Sequence, residues 1–458
     1  MTDQAETATA NVDDLMAWVA QVSSGVIAAS DQVVGGNRCL SWAVDVRGAD
    51  GRVSELYLRY QPPRPPSVEP YTVPREAGIY RAINGTGVMA PRLIAVHPSE
   101  PAVLMERVPG RADYRRLTDL ADREAVASEF VAEIVRLHAL DLKAMPIEGV
   151  TPDAAIADYV RAELSIWRAM YEETGRRDAL IDLALAWLDK HLPTPPDTPV
   201  LVHGDAGPGN FLFADGHLTA LLDWELAHPG DPMEDLAWFS MRSVMEPVPD
   251  FAERLAEYAR LSGRPFDRAR FLYHRVFVSA RVTIIRHRNV TGLPGASIVS
   301  RALNRRLLVE AIAAASGIGL PPPAPIDAPP TAQTALFDLV LEDMRTEIAP
   351  QCAAGSAASA VKDAVKMLKF LRESDRLGNA VTGQDLAAMN ALLGAPQPSV
   401  AAGQAALVAA LQAGAVSERQ ALGYFAGAVG REAQLAAGAS GGLGTRGFPK
   451  FEREGATT

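Results

Sequence analysis

The chain has 458 residues, of which 48% are hydrophobic and 22% charged, and its formal net charge is −11 at pH 7. This length exceeds the size at which single cores stop growing, so two or three domains are expected. The acidic balance argues against a nucleic-acid partner. The N-terminus lacks a basic-then-apolar secretory pattern, and no run of about eighteen apolar residues occurs. We therefore expect a soluble, cytoplasmic protein with no membrane partner.

The first third of the sequence predicts a β-rich region followed by helices. Residues 33–60 alternate apolar and polar side chains around the turn sequence "GADG", which is typical of a hairpin. A helix is expected from Pro74 to Ile83 and a strand from Ala102 to Val108. Residues 118–142 and 152–191 carry apolar side chains at helical spacing.

The most informative stretch, "LVHGDAGPGNFLFADGHLTALLDWELAHPGDPMEDLAW", begins at Leu201. Its first residues predict a buried strand, and the Asp-Gly pair within "FLFADGHLTALLD" predicts a hairpin that brings Asn210 and Asp223 to one open end. Neighbouring strands lie about 4.8 Å apart, so these oxygens and Asp205 fit a hard cation such as Mg²⁺. Taken singly, Asn210 is also typical of a turn, Asp223 of a strand end and Asp205 of a cap.

A proline-rich segment from Gly317 to Thr331 predicts an extended linker and a domain boundary. Residues 332–437 show helical spacing and predict an all-α region, and residues 438–458 predict a loose tail. The motif GxGxxG at Gly442 is assigned to this tail, since no strand precedes it. The two cysteines, Cys39 and Cys352, are far apart and outside any metal-binding spacing, so a reducing compartment is expected.

The order His203-Gly204-Asp205, Asn210 and Asp223 resembles the catalytic loop and metal-binding aspartate of protein-kinase-like enzymes. The forms "HGDAGPGN" and "DWE" are similar to the aminoglycoside phosphotransferase family, and within it to the kinase-like domain fused to some acyl-CoA dehydrogenases. The resemblance extends over residues 33–317.

This resemblance implies an α+β, bilobal protein-kinase-like fold followed by an all-α domain. The expected divisions are an N-lobe at 1–108, a helical C-lobe at 109–316, the linker at 317–331 and the all-α domain at 332–458. A homodimer is expected through that last domain.

The resemblance also assigns roles around the hairpin. Asp205 matches the base that accepts the proton of the substrate hydroxyl, and Asn210 and Asp223 match the Mg²⁺ ligands. His203 is expected to be a buried structural residue. Neighbouring residues have other expected roles. His217 and His228 are expected in turns or on the surface, and Asp231 and Asp235 are expected to cap and brace the next helix. Glu225 either assists the metal site or lies on the surface, and we favour the surface.

The nucleotide is expected to contact the N-lobe. Gly35 and Gly36 match the hairpin that covers the phosphates, although a Gly-Gly pair is also typical of any turn. Arg59 holds the position of the usual phosphate-binding lysine, and a guanidinium can neutralise the α- and β-phosphates. Glu76 fits the helix glutamate that pairs with this cation, or is a solvated helix charge.

The segment "VLMERVPG" matches the linker between the lobes, where the backbone at Glu106 and Val108 would hold adenine. The sequence therefore predicts a kinase that uses ATP and Mg²⁺ to phosphorylate a small hydroxyl compound, such as a hydroxy acid, an acyl-CoA or an aminoglycoside-like alcohol. Five arginines in residues 270–289 fit an anionic substrate or salt bridges, and we favour salt bridges. The alternative is a nucleotide-binding pseudokinase that acts as a regulatory or interaction protein.

Overall fold

The computed structural model describes residues 2–33, 39–147, 150–151, 153–289, 295–352 and 355–452. Its contacts divide the chain into two compact units. The first contains Met1–Val160, Thr194–Phe266 and Pro449–Thr458, and the second contains Arg161–Pro193 and Asp267–Phe448.

The first unit begins with helix α1 (Thr2–Val22) and a five-stranded antiparallel sheet. Its strands are β1 (Gly25–Val33), β2 (Leu40–Gly48), β3 (Val53–Tyr60), β4 (Leu93–Val96) and β5 (Ala102–Glu106), in the order β1-β2-β3-β5-β4. Helix α2 (Val73–Ile83) lies between β3 and β4 in sequence. Thr72 caps α2, and Pro74 stands in its first turn, where a missing N–H costs nothing.

The sheet is held by an apolar core that includes α1. Leu15, Trp18 and Val19 of α1 pack with Trp42 and Val44 of β2, and all five are less than one-tenth exposed. This packing fixes the central strand β3 in place. Arg59 on β3 lies opposite Ser41 of β2 and Val103 of β5, so a rigid ladder on both sides positions its backbone.

The rest of the first unit contains the hairpin predicted from the sequence. Helix α3 (Leu120–His138) precedes it, and β6 (Val200–Val202) pairs with β9 (His228–Gly230) around it. The hairpin is β7 (Phe211–Ala214) and β8 (His217–Leu221), joined by Asp215 and Gly216, both at positive φ. Helices α6 (Pro232–Met245) and α7 (Phe251–Ser262) follow.

The second unit is built from helices. They are α4 (Ile156–Glu172), which begins in the first unit, α5 (Ala179–Lys190), α8 (Arg268–Arg288), α9 (Gly295–Ala315), α10 (Thr334–Asp343), α11 (Ser356–Leu393), α12 (Val400–Gln412) and α13 (Glu418–Ser440). Helices α8 and α9 pack against each other, and α13 packs on α9 and α11.

The predicted elements compare well with this architecture. The sheet-forming N-terminal region, the helical body and the helical C-terminal region confirm the α+β class. Residues 318–331 form neither helix nor strand, as expected, but the segment is fixed to α13: Ile326 N–H donates to Gln434 Oε1 at 2.7 Å, and Pro323 lies against Gly430. Residues 438–440, expected in a loose tail, form the end of α13. The domain boundary itself stays a prediction.

Candidate active site

The hairpin brings Asn210 and Asp223 together at its open end. Phe211 pairs with Leu221, and the N–H of Leu222 donates to the carbonyl oxygen of Asn210 at 2.8 Å. Asn210 Nδ2 donates in turn to the carbonyl oxygen of Asp205 at 2.9 Å. The three residues singled out from the sequence therefore lie next to one another, linked by backbone and amide hydrogen bonds.

His203 connects the loop after β6 to the hairpin. Its ring is buried, and Nε2 lies 2.9 Å from the carbonyl oxygen of Leu222, while Nδ1 lies 3.3 Å from the N–H of Asp205. A carbonyl only accepts and an N–H only donates, so the ring is neutral with its proton on Nε2. Burial lowers the pKa of His203, which favours this neutral form. His203 is thus buried and hydrogen-bonded between the loop and the hairpin, as the expected structural role requires.

Asp235 of α6 also holds this loop. Its carboxylate accepts hydrogen bonds from the N–H groups of His203 at 2.8 Å and Gly204 at 2.9 Å, and lies 3.0 Å from His138 Nε2. We expected Asp235 only to cap and brace the helix. Asp231 is the residue that caps α6, accepting from the Met233 N–H.

Arg242 was not singled out from the sequence, yet it is the partner of Asp205. Its Nε donates to Asp205 Oδ1 at 2.8 Å, and its Nη2 contacts Asp205 Oδ2, so the pair is bidentate. Burial opposes the charge of Arg242, but Asp205 raises its pKa above the usual value. The sequence signal that could have identified Arg242 was its spacing of seven residues from Asp235, because this spacing places Arg242 and Asp235 on one face of α6.

Two glycines explain the form "HGDAGPGN". Gly204 has φ +77°, and a Cβ at this position would collide with the carbonyl oxygen of Leu226. Gly207 has φ +139°, and a Cβ there would lie 2.7 Å from Cβ of Arg242. Side chains at these positions would push the loop away from Leu226 and from α6, so both glycines set the position of Asp205.

Arg59 is surrounded by three carboxylates. Its Nη2 lies 3.0 Å from both Asp223 Oδ1 and Glu225 Oε2, and its Nε lies 3.3 Å from Glu76 Oε2. The Glu76 side chain is 1% exposed, which excludes the solvated helix charge considered above. One guanidinium facing three carboxylates leaves a formal charge of −2 if all are ionised.

The pKa values reflect this crowding. Burial, with the Asp223 and Glu225 charges, raises the pKa of Glu76 to about 7, although Arg59 opposes the shift. Burial also acts to raise the pKa of Asp223, but Arg59 and Arg242 outweigh it and keep that pKa below its ordinary value. Asp223 therefore remains ionised at neutral pH and is a good ligand for a cation.

The donor set fits Mg²⁺. Asp223 is 34% exposed on its side chain, and within the described part of the chain its Oδ2 accepts no hydrogen bond. Asn210 uses its amide nitrogen for Asp205, which leaves the amide oxygen as an acceptor. The described residues contain no group of three His, Cys, Asp or Glu side chains suited to a metal. A two-ligand site is nevertheless typical of Mg²⁺, which keeps waters and substrate phosphates as ligands.

The segment after β5 connects the five-stranded sheet to the β7-β8 hairpin. Glu106 ends β5 and its N–H donates to the carbonyl oxygen of Arg92 at 3.0 Å. Val108 is half-buried, and its N–H and C=O bond to no other described backbone group. Arg111 then pairs with Phe213 of β7 through hydrogen bonds of 3.0 and 3.1 Å. Within the described ranges, the backbone N–H and C=O of Val108 are thus without a backbone partner.

Glu225 and His228 do not lie on the surface. Glu225 was expected on the surface but pairs with Arg59, because Asp223 adopts φ 65° and the short 3₁₀ helix Trp224–Leu226 turns Glu225 inward. His228 was also expected on the surface but is 4% exposed in β9, with Nδ1 2.8 Å from the carbonyl oxygen of Leu226. Gly35 and Gly36 lie outside the described residues.

With this geometry in place, comparison with known proteins gives the family. Residues 42–272, half of the chain, match the phosphotransferase enzyme family, APH. The chain belongs to this family. The resemblance inferred from "HGDAGPGN" and "DWE" is confirmed, and APH membership supports a small-molecule phosphotransferase.

Curated relatives of this APH-family chain are much longer proteins. Acyl-CoA dehydrogenase family member 11 of Homo sapiens is 30% identical over 197 residues, which is 40% of this chain and 25% of that protein. Acyl-CoA dehydrogenase family member 10 of Mus musculus is 29% identical over 197 residues, 40% of this chain and 18% of that protein. The chain thus spans a quarter or less of the length of these relatives.

A solved structure supports the APH fold. The crystal structure of aminoglycoside phosphotransferase APH(4)-Ia matches with a TM-score of 0.50 and 17% identity, over 67% of this chain and all of that one. At this identity the likeness concerns the fold alone. Among the helices of the described ranges, none has the length and hydropathy needed to span a membrane.

Proposed function

We propose that this protein is a kinase that transfers the γ-phosphoryl group of ATP to a hydroxyl group of a small molecule. The observation that carries the proposal is the cluster at the open end of the β7-β8 hairpin. Asp205, Asn210 and Asp223 lie side by side there, and Arg59 reaches Asp223 from β3. Phosphoryl transfer needs positioned charges and little covalent chemistry from the protein, and this cluster supplies such charges.

Asn210 and Asp223 would hold Mg²⁺, and the ion would neutralise negative charge that develops during transfer. Arg59 would contact the α- and β-phosphates, and Glu76 would hold the guanidinium in position from α2. Two carboxylates, Glu76 and Glu225, remain to orient Arg59 when Asp223 turns to the metal. The backbone of Gly35 and Gly36 would cover the phosphates.

Asp205 would accept the proton of the acceptor hydroxyl. Its carboxylate is already held at both oxygens by Arg242, which fixes its direction. Arg242 is thus proposed as a positioning residue. The backbone groups of Val108, together with Glu106, would hold adenine.

Incubation with Mg·ATP and a panel of hydroxy acids, hydroxyacyl thioesters and amino sugars tests the proposal. Mass spectrometry would report the gain of one phosphoryl group on an acceptor. We expect Asp205→Asn to lower kcat by about 10² to 10⁴ with Mg·ATP binding retained, and Asp223→Asn to lose Mg-dependent nucleotide binding as well. Asp327→Asn, an exposed aspartate of the second unit, is the matched control.

Nucleotide binding without transfer to any acceptor, and without ATP hydrolysis, would favour the pseudokinase alternative. Full turnover by Asp205→Asn would refute the role of that residue. A cytoplasmic location and a homodimer through residues 332–458 stay predictions. Size-exclusion chromatography with light scattering tests the dimer.

A further inference from the structure

The second unit contains a small basic cleft between α8 and α9, with an empty volume of about 230 Å³ including its solvent-open part. Arg286 and His287 of α8 line it, and Arg301, Asn304 and Arg305 of α9 face them. The spacing of three and four residues along α9 places its three side chains on one helix face. None of these residues belongs to the catalytic cluster described above.

Arg286 differs from the other arginines near it on α8. Arg288 pairs with Glu173 at 2.9 Å, and Arg281 lies 3.6 Å from Glu163. Arg286 makes no ion pair, hydrogen bond or ring contact with a residue in the described ranges, and its Nε is buried without a partner. The last turn of a helix favours a cation, but it does not satisfy a buried guanidinium N–H.

Asn304 is a second polar residue in the same cleft. It is 8% exposed, and its amide makes no hydrogen bond with a residue that the structure describes. Its amide atoms are accessible from the cleft and are not among the buried unsatisfied atoms, so the amide N–H₂ can donate to a group that enters the cleft.

The charges of the cleft sum to a positive value. Arg305 is neutralised by Asp178, which also lines the cleft, and by Glu432 at 2.9 Å. Arg301 is 44% exposed and lies 3.7 Å from Glu432. Burial lowers the pKa of His287, which keeps it neutral. Arg286 therefore supplies a positive charge that no described carboxylate balances.

We propose that this cleft binds an oxyanion, a phosphate group held by Arg286 and Asn304 with Arg301 at the rim. A guanidinium fork and an amide N–H₂ offer several donors to a phosphate at the mouth of the cleft. The ligand is either inorganic phosphate or the phosphate of a small ester. The site is separate from the proposed transfer reaction and does not depend on it.

Isothermal titration calorimetry of the full chain without Mg²⁺ or nucleotide tests the site, with inorganic phosphate and glycerol 2-phosphate as probes at constant ionic strength. We expect saturable binding of one equivalent, weakened about tenfold or more by Arg286→Gln, since a charged hydrogen bond is lost. Asn304→Ala should weaken binding in the same sense with little risk to the fold. Arg419→Gln, an exposed arginine of α13, is the matched charge control and should bind normally.

A lower dissociation constant for glycerol 2-phosphate than for phosphate would identify an ester as the ligand, and the reverse would identify the free ion. Absence of saturable binding of both probes would overturn the proposal. The proposal would also be overturned if folded Arg286→Gln bound phosphate normally while Arg59→Gln lost binding. The anion would then occupy the proposed nucleotide site. Circular dichroism establishes that each variant is folded, and the Mg·ATP-dependent thermal shift is a second check for Arg286→Gln, Asn304→Ala and Arg419→Gln.

Discussion

Glu76 should make the stability of the nucleotide-free protein fall as pH rises. Burial, with the Asp223 and Glu225 charges, raises its pKa in the folded state to about 7, from an ordinary value of 4.5. The unfolded chain releases this proton near pH 4.5, whereas the folded protein keeps it until about pH 7. Stability from this group is therefore present below pH 4.5 and is lost between about pH 4.5 and 7, by roughly 3 kcal/mol.

Glu76→Gln removes that titration and leaves Arg59 paired with Asp223 and Glu225. We expect the variant to gain stability relative to the wild type across this pH window, by roughly 6 to 12 °C in the unfolding temperature of a unit this large. Thermal unfolding from pH 4.5 to 8 in EDTA measures it. A difference in unfolding temperature that is the same at every pH reflects the replacement of the carboxyl group by an amide. A difference that grows as pH rises reflects the loss of the Glu76 titration. Glu124→Gln, exposed on α3, is the control. Parallel curves for Glu76→Gln and wild type would refute the reasoning.

Three further predictions concern other parts of the structure. Arg242→Lys should lower kcat with little change in KM for ATP, because an ammonium cannot hold both oxygens of Asp205; steady-state kinetics tests this. Gly204→Ala should unfold at a markedly lower temperature than wild type, since its Cβ would collide with the Leu226 carbonyl. A chain ending at Gly319 should keep Mg·ATP binding, because every proposed nucleotide ligand lies in the first unit and before Phe266. The second unit of this shortened chain should unfold at a lower temperature, since Arg305 loses its partner Glu432.

The hairpin and its three polar residues could be predicted because the information is local. Asp215 and Gly216 form the turn, and the pairing of the two strands places Asn210 opposite Leu222, so that Asp223 follows directly at the same open end. The pairing of Arg59 with Glu76 was also expected, but from family resemblance, since the two lie on different elements. No periodicity in the sequence would join them.

The residues that sequence reasoning missed act across long separations. Arg242 is 37 residues from Asp205, and Glu225 is 166 residues from Arg59. Glu225 was assigned to the surface because its inward direction depends on the left-handed conformation of Asp223, which the letters "DWE" do not reveal. A charged residue near a motif is usually solvated, so Glu225 could be identified only from tertiary contacts, and Arg242 only through its seven-residue spacing from Asp235.

The two candidate carboxylates have opposite electrostatic surroundings, and this bears on how nucleotide would bind. Asp205 has its own guanidinium in Arg242, so that pair is neutral before any ligand arrives. Asp223 shares Arg59 with Glu76 and Glu225, which leaves an excess of negative charge of up to two units. A triphosphate alone would be repelled by this excess, and a bare divalent cation would compete with Arg59 for Asp223. When the two arrive together, the cation can take Asp223 while Arg59 turns to the phosphates, so binding of metal and of nucleotide should each strengthen the other.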